Sequence, residues 1–209
     1  MANKTVILYF VEDPAQESFI TTLITRIAAG EGIPAQRVSL SGWAVQDGSK
    51  AIDEFEQFVK GSGDDLWGCA DIFVVGFDAN RKGVSERRKQ LRTITKPLDI
   101  ALQDPIAFAV PNPHIERWYL EDQQAFNCVF GPGSAPAMPS YKSDKAFYKQ
   151  ILHDAIARTG RDSLLGVSAY GEDVALAVNF DVLSNDRGFK LFRKDLCRAF
   201  RRLQTTGDH

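Results

Sequence analysis

The stretch Ile72–Gly83, IFVVGFDANRKG, decides the fold of this chain. It begins with an uncharged run of β-favouring residues and turns polar at Asp78 and Asn80, ahead of two basic residues and a glycine. Such a run is typical of a strand that is buried on both faces of a parallel sheet. Ligands of open α/β sheets bind just beyond the carboxyl ends of the strands. The stretch therefore predicts that Asp78 and Asn80 lie at the edge of the sheet where ligands bind and catalysis usually takes place.

Strands and helices are predicted to alternate on either side of this stretch. The predicted strands cover residues 5–11, 37–45, 70–77 and 105–110. The predicted helices extend from Asp13 to Gly30, over Lys50–Lys60, over Val84–Leu102, and from near His114 through Phe126. Pro14 suits the first turn of a helix, and Pro97 is expected to break or kink the third helix. This alternation predicts an α/β fold whose mainly parallel central sheet carries helices on both faces.

The composition changes after Phe130. Residues 1–130 are predicted to form the α/β domain, residues 131–143 a Pro- and Gly-rich loop, and residues 144–209 a helical extension packing on the same domain. Within the extension, the segment VALAVNFDVL at residues 174–183 fits either a helical or a strand period, and we interpret it as helix.

Composition restricts the class of protein. A chain of 209 residues with 44% hydrophobic and 25% charged residues is typical of a globular protein, not of a disordered or fibrous one. A net charge of −2 excludes a protein that binds nucleic acid through bulk charge, but leaves room for a local basic face. Three widely spaced cysteines indicate neither a zinc knuckle nor a disulfide framework. Because neither a signal peptide nor a membrane span is evident, a cytoplasmic location is expected.

Acidic residues follow three of the predicted strands. Glu12 follows the first, Asp78 with Asn80 follows the third, and Glu116 follows the fourth. A parallel sheet would bring them to one edge, where carboxylates with a neutral oxygen donor suit Mg²⁺. Each residue also has an ordinary structural interpretation, as a turn or helix-cap residue or as a first-turn glutamate. Their joint placement favours the functional interpretation.

Three segments resemble the motifs of TOPRIM domains, in particular of stand-alone proteins of the RloB and OLD-nuclease kind. They are FVEDPAQESF at residues 10–19, FDANRKG at residues 77–83 and AVPNPHIERWYLED at residues 109–122. The resemblance implies a TOPRIM-like fold and nuclease activity on DNA or RNA that depends on Mg²⁺ or Mn²⁺, often in bacterial defence against phage. It also implies that Glu12 acts in acid/base chemistry or metal binding and that the positions of Asp78 and Asn80 bind metal.

Asn80 departs from this family pattern, which has a second aspartate there. The exchange removes a negative charge and should weaken the binding of a metal ion that is held mainly by electrostatics. Glu17, Glu116 or Asp13 supplies the missing charge, or the site is catalytically weak. An EF-hand interpretation of Asp78, Asn80 and Gly83 fails, because the closing position is Lys89 where a bidentate glutamate is needed.

Basic residues beside the motif suggest how a substrate is held. Arg81, Lys82, Arg87 and Arg88 begin at the predicted site and continue up the next helix, so part of this set would follow a phosphate backbone. His114 is a candidate for proton transfer or phosphate binding, and Glu17 for support of the site. The leading prediction is a Mg²⁺-dependent nuclease with Glu12, Asp78 and Glu116 as catalytic residues. The alternative is a catalytically silent interaction subunit that partners an ATPase.

Overall fold

The structure is a computed structural model, and it describes residues 4–61, 69–98, 105–142, 144–161 and 167–206. Its strands are β1 Thr5–Val11, β2 Val38–Ala44, β3 Ile72–Gly76 and β4 Ile106–Ala109. Its α-helices are α1 Pro14–Gly30, α2 Ala51–Gly61, α3 Gly83–Thr95, α4 Ile115–Glu121, α5 Gln123–Phe130, α6 Lys145–Ala157, α7 Gly171–Ala177, α8 Phe180–Leu183 and α9 Arg187–Thr206. Short 3₁₀ turns lie at Ala35–Arg37, Asn80–Lys82 and Val167–Tyr170.

The strands form one parallel sheet in the order β2-β1-β3-β4. The central strand β3 is buried along its whole length, whereas β2 at one edge is only partly covered. The uncharged run IFVVG occupies β3 because a strand between two parallel neighbours needs apolar side chains on both faces. The predicted fold class, an α/β fold with a parallel sheet, helices on both faces and C-terminal helices, is confirmed.

Two hydrophobic cores lie on opposite faces of the sheet, because successive strand residues point to opposite sides. On one face, Ile7 and Val74 pack with α1 and with residues of α4 to α9. On the other face, Leu8 and Phe73 pack with residues of α2 and α3. The C-terminal helices therefore extend the core on the α1 side of the sheet.

Several helix boundaries follow from local chemistry. Asp13 caps α1 by accepting a hydrogen bond from the backbone N–H of Gln16, and Pro14 occupies its first position. The α3 helix ends at Thr95, shortly before Pro97, where the sequence predicts a break or kink. The last part of the predicted helix, residues 99–102, lies outside the described residues. The segment interpreted as helix at residues 174–183 is helical on both sides of a break at Val178 and Asn179.

One predicted helix is two helices in the structure. The prediction has a single helix that begins near His114 and reaches Phe126, but the chain breaks between α4 and α5 at Asp122. The Asp122 carboxylate caps α5 through the N–H groups of Gln124 and Ala125 and also accepts from the N–H of Asn179. A cap residue competes with helix continuation, and this contact from a distant segment holds the break in place.

None of the described helices has both the length and the apolar character needed to cross a membrane.

Candidate active site

The three acidic segments predicted to meet start from one edge of the sheet. Val11, Gly76 and Ala109 are register partners across β1, β3 and β4, so these strands end side by side. The chain leaves each strand at the same level, with Glu12 directly after β1 and Asp78 two residues after β3. Parallel pairing therefore supplies the convergence that the spacing of the sequence predicts.

Asp78 lies at the centre of this edge and is fully buried. Its Oδ1 accepts hydrogen bonds from Gln16 Nε2 at 2.8 Å and from the Ile115 backbone N at 3.0 Å. Its Oδ2 lies 3.1 Å from His114 Nδ1. The carboxylate therefore ties together the start of α1, the end of β3 and the start of α4.

Glu12 is joined to Asp78 through the backbone. Glu12 Oε2 accepts a hydrogen bond of 2.7 Å from the backbone N–H of Asp78, and the Glu12 N–H donates to the carbonyl of Gly76. Only 8% of Glu12 is exposed. A hydrogen bond from an N–H to a carboxylate is strong when both are buried, so Glu12 fixes the turn that carries Asp78.

His114 and Glu116 lie at the beginning of α4, where His114 contacts Asp78 and Glu116 lies beside Lys149 of α6. His114 is the N-cap residue of α4, yet its own side chain does not cap the helix, and the Asp78 carboxylate accepts from Ile115 N instead. Glu116 follows in the first turn, is 2% exposed, and has its Oε1 3.8 Å from Lys149 Nζ. Asp78 thus positions α4, and α4 positions Glu116.

Asn80 adopts a left-handed backbone conformation with φ of +51°. Asparagine tolerates this region better than most residues, which gives a conformational reason for its presence. The Asn80 N–H donates to the Pro113 carbonyl, and Nδ2 lies 3.3 Å from the Asp78 carbonyl oxygen. Asn80 therefore links the turn after β3 to the turn after β4.

Arg87 brings a buried positive charge to the carboxylates. Its Nε donates to the Asp78 carbonyl at 2.8 Å, and Nη1 donates to Gln90 Oε1 at 3.0 Å. The pKa of Arg87 is lowered by burial, and the charges of Glu12 and Asp78 offset only part of this lowering. The sequence suggests Arg87 as a nucleic-acid contact, but the structure places it inside, as a counter-charge to the acidic residues.

The other predicted basic contacts separate into two groups. Arg81 and Lys82 are exposed in the turn after Asn80, next to the site. Arg88, in contrast, is 4% exposed and donates to the Phe108 carbonyl and to Asp195 Oδ2. Its guanidinium is enclosed between β4 and α9, so Arg88 is not presented to a ligand at this edge.

Gln16 belongs to the site although the sequence analysis did not select it. The residue is fully buried and its Nε2 holds Asp78. A signal was present, because Gln16 lies three and four residues before Phe19 and Ile20, on the apolar stripe of α1. A polar residue on the core-facing side of a helix indicates a buried hydrogen bond.

The side chains at this edge carry the kinds of oxygen atom that bind divalent cations. Carboxylate and amide oxygens are the ligands that Mg²⁺ prefers. Gln16 Oε1 is buried and makes no hydrogen bond within the described residues, so a neutral oxygen remains for a cation or a water. No group of three or more His, Cys, Asp or Glu side chains in the described ranges is arranged to hold a metal. A cation at this edge would use one or two carboxylates and complete its shell with water, as Mg²⁺ usually does.

Glu17, considered as a support for the site, is bound elsewhere. Glu17 Oε1 accepts a hydrogen bond of 2.6 Å from the Tyr9 hydroxyl. Burial and the Glu17 carboxylate together raise the pKa of Tyr9 to about 12.

This pair predicts a late tyrosine titration. Because the raised pKa favours the protonated phenol in the folded state, the stabilisation is complete below pH 10 and is lost as pH rises from about 10 to about 12. The absorbance titration curve of wild type, after subtraction of the curve of Tyr9→Phe, should show a single transition near pH 12. The Glu17→Gln substitution should move this transition toward pH 10. A Tyr9 transition near pH 10 in wild type would contradict the contact.

Fold and geometry define a class: an α/β protein with three buried carboxylates at the carboxyl edge of a parallel sheet. Comparison with protein-family models, curated proteins and solved structures gives no significant match. The likeness to TOPRIM proteins stays a prediction from the motifs.

Proposed function

We propose that this protein is a TOPRIM-like nuclease that hydrolyses phosphodiester bonds of DNA or RNA with Mg²⁺ or Mn²⁺. The observation that carries the proposal is the burial of Glu12, Asp78 and Glu116, which are 8%, 0% and 2% exposed at one sheet edge. A role in defence against phage belongs to the same proposal and rests on the motifs alone.

The energetic argument concerns charge. Removing a carboxylate from water costs several kcal/mol unless partners compensate. Cationic groups near these carboxylates include Arg87, His114 when protonated, and Lys149, which is half exposed and 3.8 Å from Glu116. Apolar residues of similar volume would stabilise such a position at least as well. Retention of three acids at one sheet edge therefore supports a chemical use.

The proposed division of labour follows the contacts. Of Glu12, Asp78 and Glu116, one or two would coordinate the cation and the remainder would add negative charge nearby, with Asn80 and Gln16 as neutral oxygen donors. When bound, the cation would supply Lewis-acid activation of the phosphodiester and of water. Glu12 would accept the proton of the attacking water. His114, which lies against Asp78 Oδ2, would donate a proton to the leaving oxygen.

The substrate would approach over the turn after β3. Arg81 and Lys82 are exposed there, and Lys82 Nζ contacts Gln90 Oε1, the same oxygen that accepts from Arg87. Cations at this position would hold a phosphate beside the carboxylates. Arg87 would remain buried and bound to the Asp78 carbonyl, without contacting the substrate.

Replacing either of the two buried glutamates at this sheet edge should abolish most of the cleavage. We expect Glu12→Gln and Glu116→Gln to lower the cleavage rate about 10²- to 10⁴-fold, the range for loss of an acid/base or charge-stabilising group. The measurement is cleavage of labelled DNA and RNA with Mg²⁺, with Mn²⁺ and with EDTA, alongside circular dichroism to check folding.

Matched controls come from α1, which follows Glu12 in the chain, and from α4, which carries Glu116. Glu17→Gln removes a carboxylate from α1, and Glu121→Gln removes one from α4 that lies 3.6 Å from Arg117 Nε. Both should cleave like wild type. If wild type cleaves neither substrate with either metal, or if the site variants cleave as well as the controls, the nuclease proposal is wrong.

A second candidate is a catalytically silent subunit, for which an ATPase is the expected partner. It is favoured by the environment of Asp78, since both carboxylate oxygens already have protein partners. In that case Asp78 only supports the fold. Absence of cleavage together with stable co-purification of an ATPase would favour this candidate.

A further inference from the structure

The last helix, α9, has a net positive charge, although the chain as a whole has a net negative charge. Its 20 residues include seven lysines and arginines and one carboxylate, Asp195. Its net charge is therefore +6, while the whole chain has a net charge of −2. The other 189 residues have a net charge of −8, so α9 is far more basic than the rest of the chain.

Four of these cations form one exposed row, which we call the basic row: Arg187, Lys190, Lys194 and Arg198. At 100° per residue they fall within an arc of about 80°, and their Cα atoms span about 16 Å along the helix. The opposite side of α9 is apolar and packs into the core through Phe192, Leu196 and Phe200. The packing of the helix thus orients the whole row toward solvent.

The basic row is poorly neutralised by the protein. Arg187, Lys190 and Lys194 make no ion pair with any other described residue. Arg198 lies 3.8 Å from Asp195 Oδ1, but Asp195 already makes an ion pair of 2.6 Å with Arg88, and the Arg198 side chain is 62% exposed. Other cations of α9 do have separate partners: Arg193 contacts Asp181, and Arg201 contacts Glu31.

This arrangement works against the stability of the helix. Like charges four residues apart, such as Lys190 and Lys194 or Lys194 and Arg198, repel each other. Arg187 and Lys190 also stand in the first turn, next to the positive end of the helix dipole. Alternating charges would stabilise α9 better, so the row does not serve the stability of the helix and is complementary to an anionic partner.

The row begins at the sheet edge that carries the candidate site. Gly188 lies so close to the end of β4 that a Cβ atom there would be 1.9 Å from the Val110 carbonyl oxygen. Val110 leads into the turn that ends at His114 and α4. At the other end of α9, Gln204 Nε2 donates to the Glu31 carbonyl at the end of α1. The row therefore extends away from the site along the outside of the protein.

We propose that the basic row binds the phosphate backbone of a nucleic acid and so positions the polymer next to the site. A polymer with evenly spaced phosphates matches a row of cations about 5–6 Å apart along the helix. The inference deepens the proposed nuclease function and rests on it for the choice of nucleic acid as the polyanion. Binding to the row needs neither metal nor cleavage, so it can be measured separately.

The test is binding of fluorescently labelled duplex DNA and single-stranded RNA to the full chain in EDTA, as a function of salt. The row variant is Arg187→Gln, Lys190→Gln and Lys194→Gln together. Its affinity at about 100 mM salt should fall more than about tenfold. The slope of log affinity against log salt should drop by about 2.7 for the duplex and about 2.1 for the single strand, since each lost phosphate contact removes about 0.9 or about 0.7 respectively.

A control variant has the same change in net charge on other surfaces. It combines Lys50→Gln, Lys60→Gln and Arg158→Gln, all of which replace exposed side chains outside α9. Its affinity and salt slope should stay near those of wild type. Equal losses in both variants, or no loss in the row variant, would overturn the proposal.

Two further outcomes separate the proposals. Salt-dependent binding that is lost in the row variant, without cleavage under any condition, supports the row and rejects the nuclease. Cleavage by wild type that is unchanged in the row variant at substrate concentrations below saturation supports the nuclease and rejects the row. Binding of polyglutamate at the row, with no binding of either nucleic acid, would identify an acidic protein as the partner and overturn the proposal.

Discussion

Arg88→Ala is expected to destabilise the fold by about 3–5 kcal/mol, the usual effect of removing one partner of a buried ion pair. Arg88 Nη2 lies 2.6 Å from Asp195 Oδ2, and the side chains are 5% and 10% exposed. The same guanidinium donates to the Phe108 carbonyl of β4. Its loss would leave the Asp195 charge buried and detach α9 from α3. Urea unfolding, followed by circular dichroism, measures the change in the free energy of unfolding.

Arg92→Ala is the matched control, because Arg92 also lies on α3 and its guanidinium is 6.0 Å from the centre of the Phe108 ring. Arg92 is exposed, so its loss should cost less than about 1 kcal/mol. The double variant Arg88→Met with Asp195→Leu should recover most of the stability, since an apolar pair of similar volume replaces a buried ion pair at little cost. Similar effects of Arg88→Ala and Arg92→Ala would contradict this assignment.

Asp78→Ala is expected to lower the free energy of unfolding by about 4 kcal/mol. The change leaves the donors Gln16 Nε2 and Ile115 N without their buried acceptor, and it removes the partner of His114 Nδ1. Each buried donor that loses its acceptor costs about 1–3 kcal/mol. Equilibrium unfolding in urea measures this change in the free energy of unfolding. A loss of activity in Asp78→Ala must be compared with that measured loss of stability.

Asp78→Asn separates the structural role from the charge. The amide keeps an oxygen that can accept from Ile115 N and Gln16 Nε2, so this variant should lose clearly less stability than Asp78→Ala. Asp47→Ala is the control for an exposed turn aspartate, whose Oδ1 accepts from the N–H and hydroxyl of Ser49. It should leave the unfolding midpoint nearly unchanged. A small effect of Asp78→Ala would show that the network around Asp78 carries little energy.

The candidate site was only partly predictable from the sequence. Strand ends in a parallel sheet share one edge, so the positions of Glu12, Asp78 and Glu116 followed from the order of elements alone. The partners of Asp78 did not follow, because Gln16 and His114 reach it from segments that are distant along the chain. Only packing of α1 and α4 against the same strand end brings those groups within hydrogen-bonding distance.

The sequence by itself determined the elements of the α/β fold, since periodicity, caps and prolines are local properties of the chain. It also determined which carboxylates follow the strands. Tertiary structure alone decided the roles of Arg87 and Arg88, which are adjacent on a helix that carries charge on several sides. A rotation of about 100° between neighbouring helix residues directs Arg87 to the backbone of Asp78 and Arg88 to Asp195 on α9. That assignment depends on how α3 is rotated against the sheet, which is set by contacts with β4 and α9.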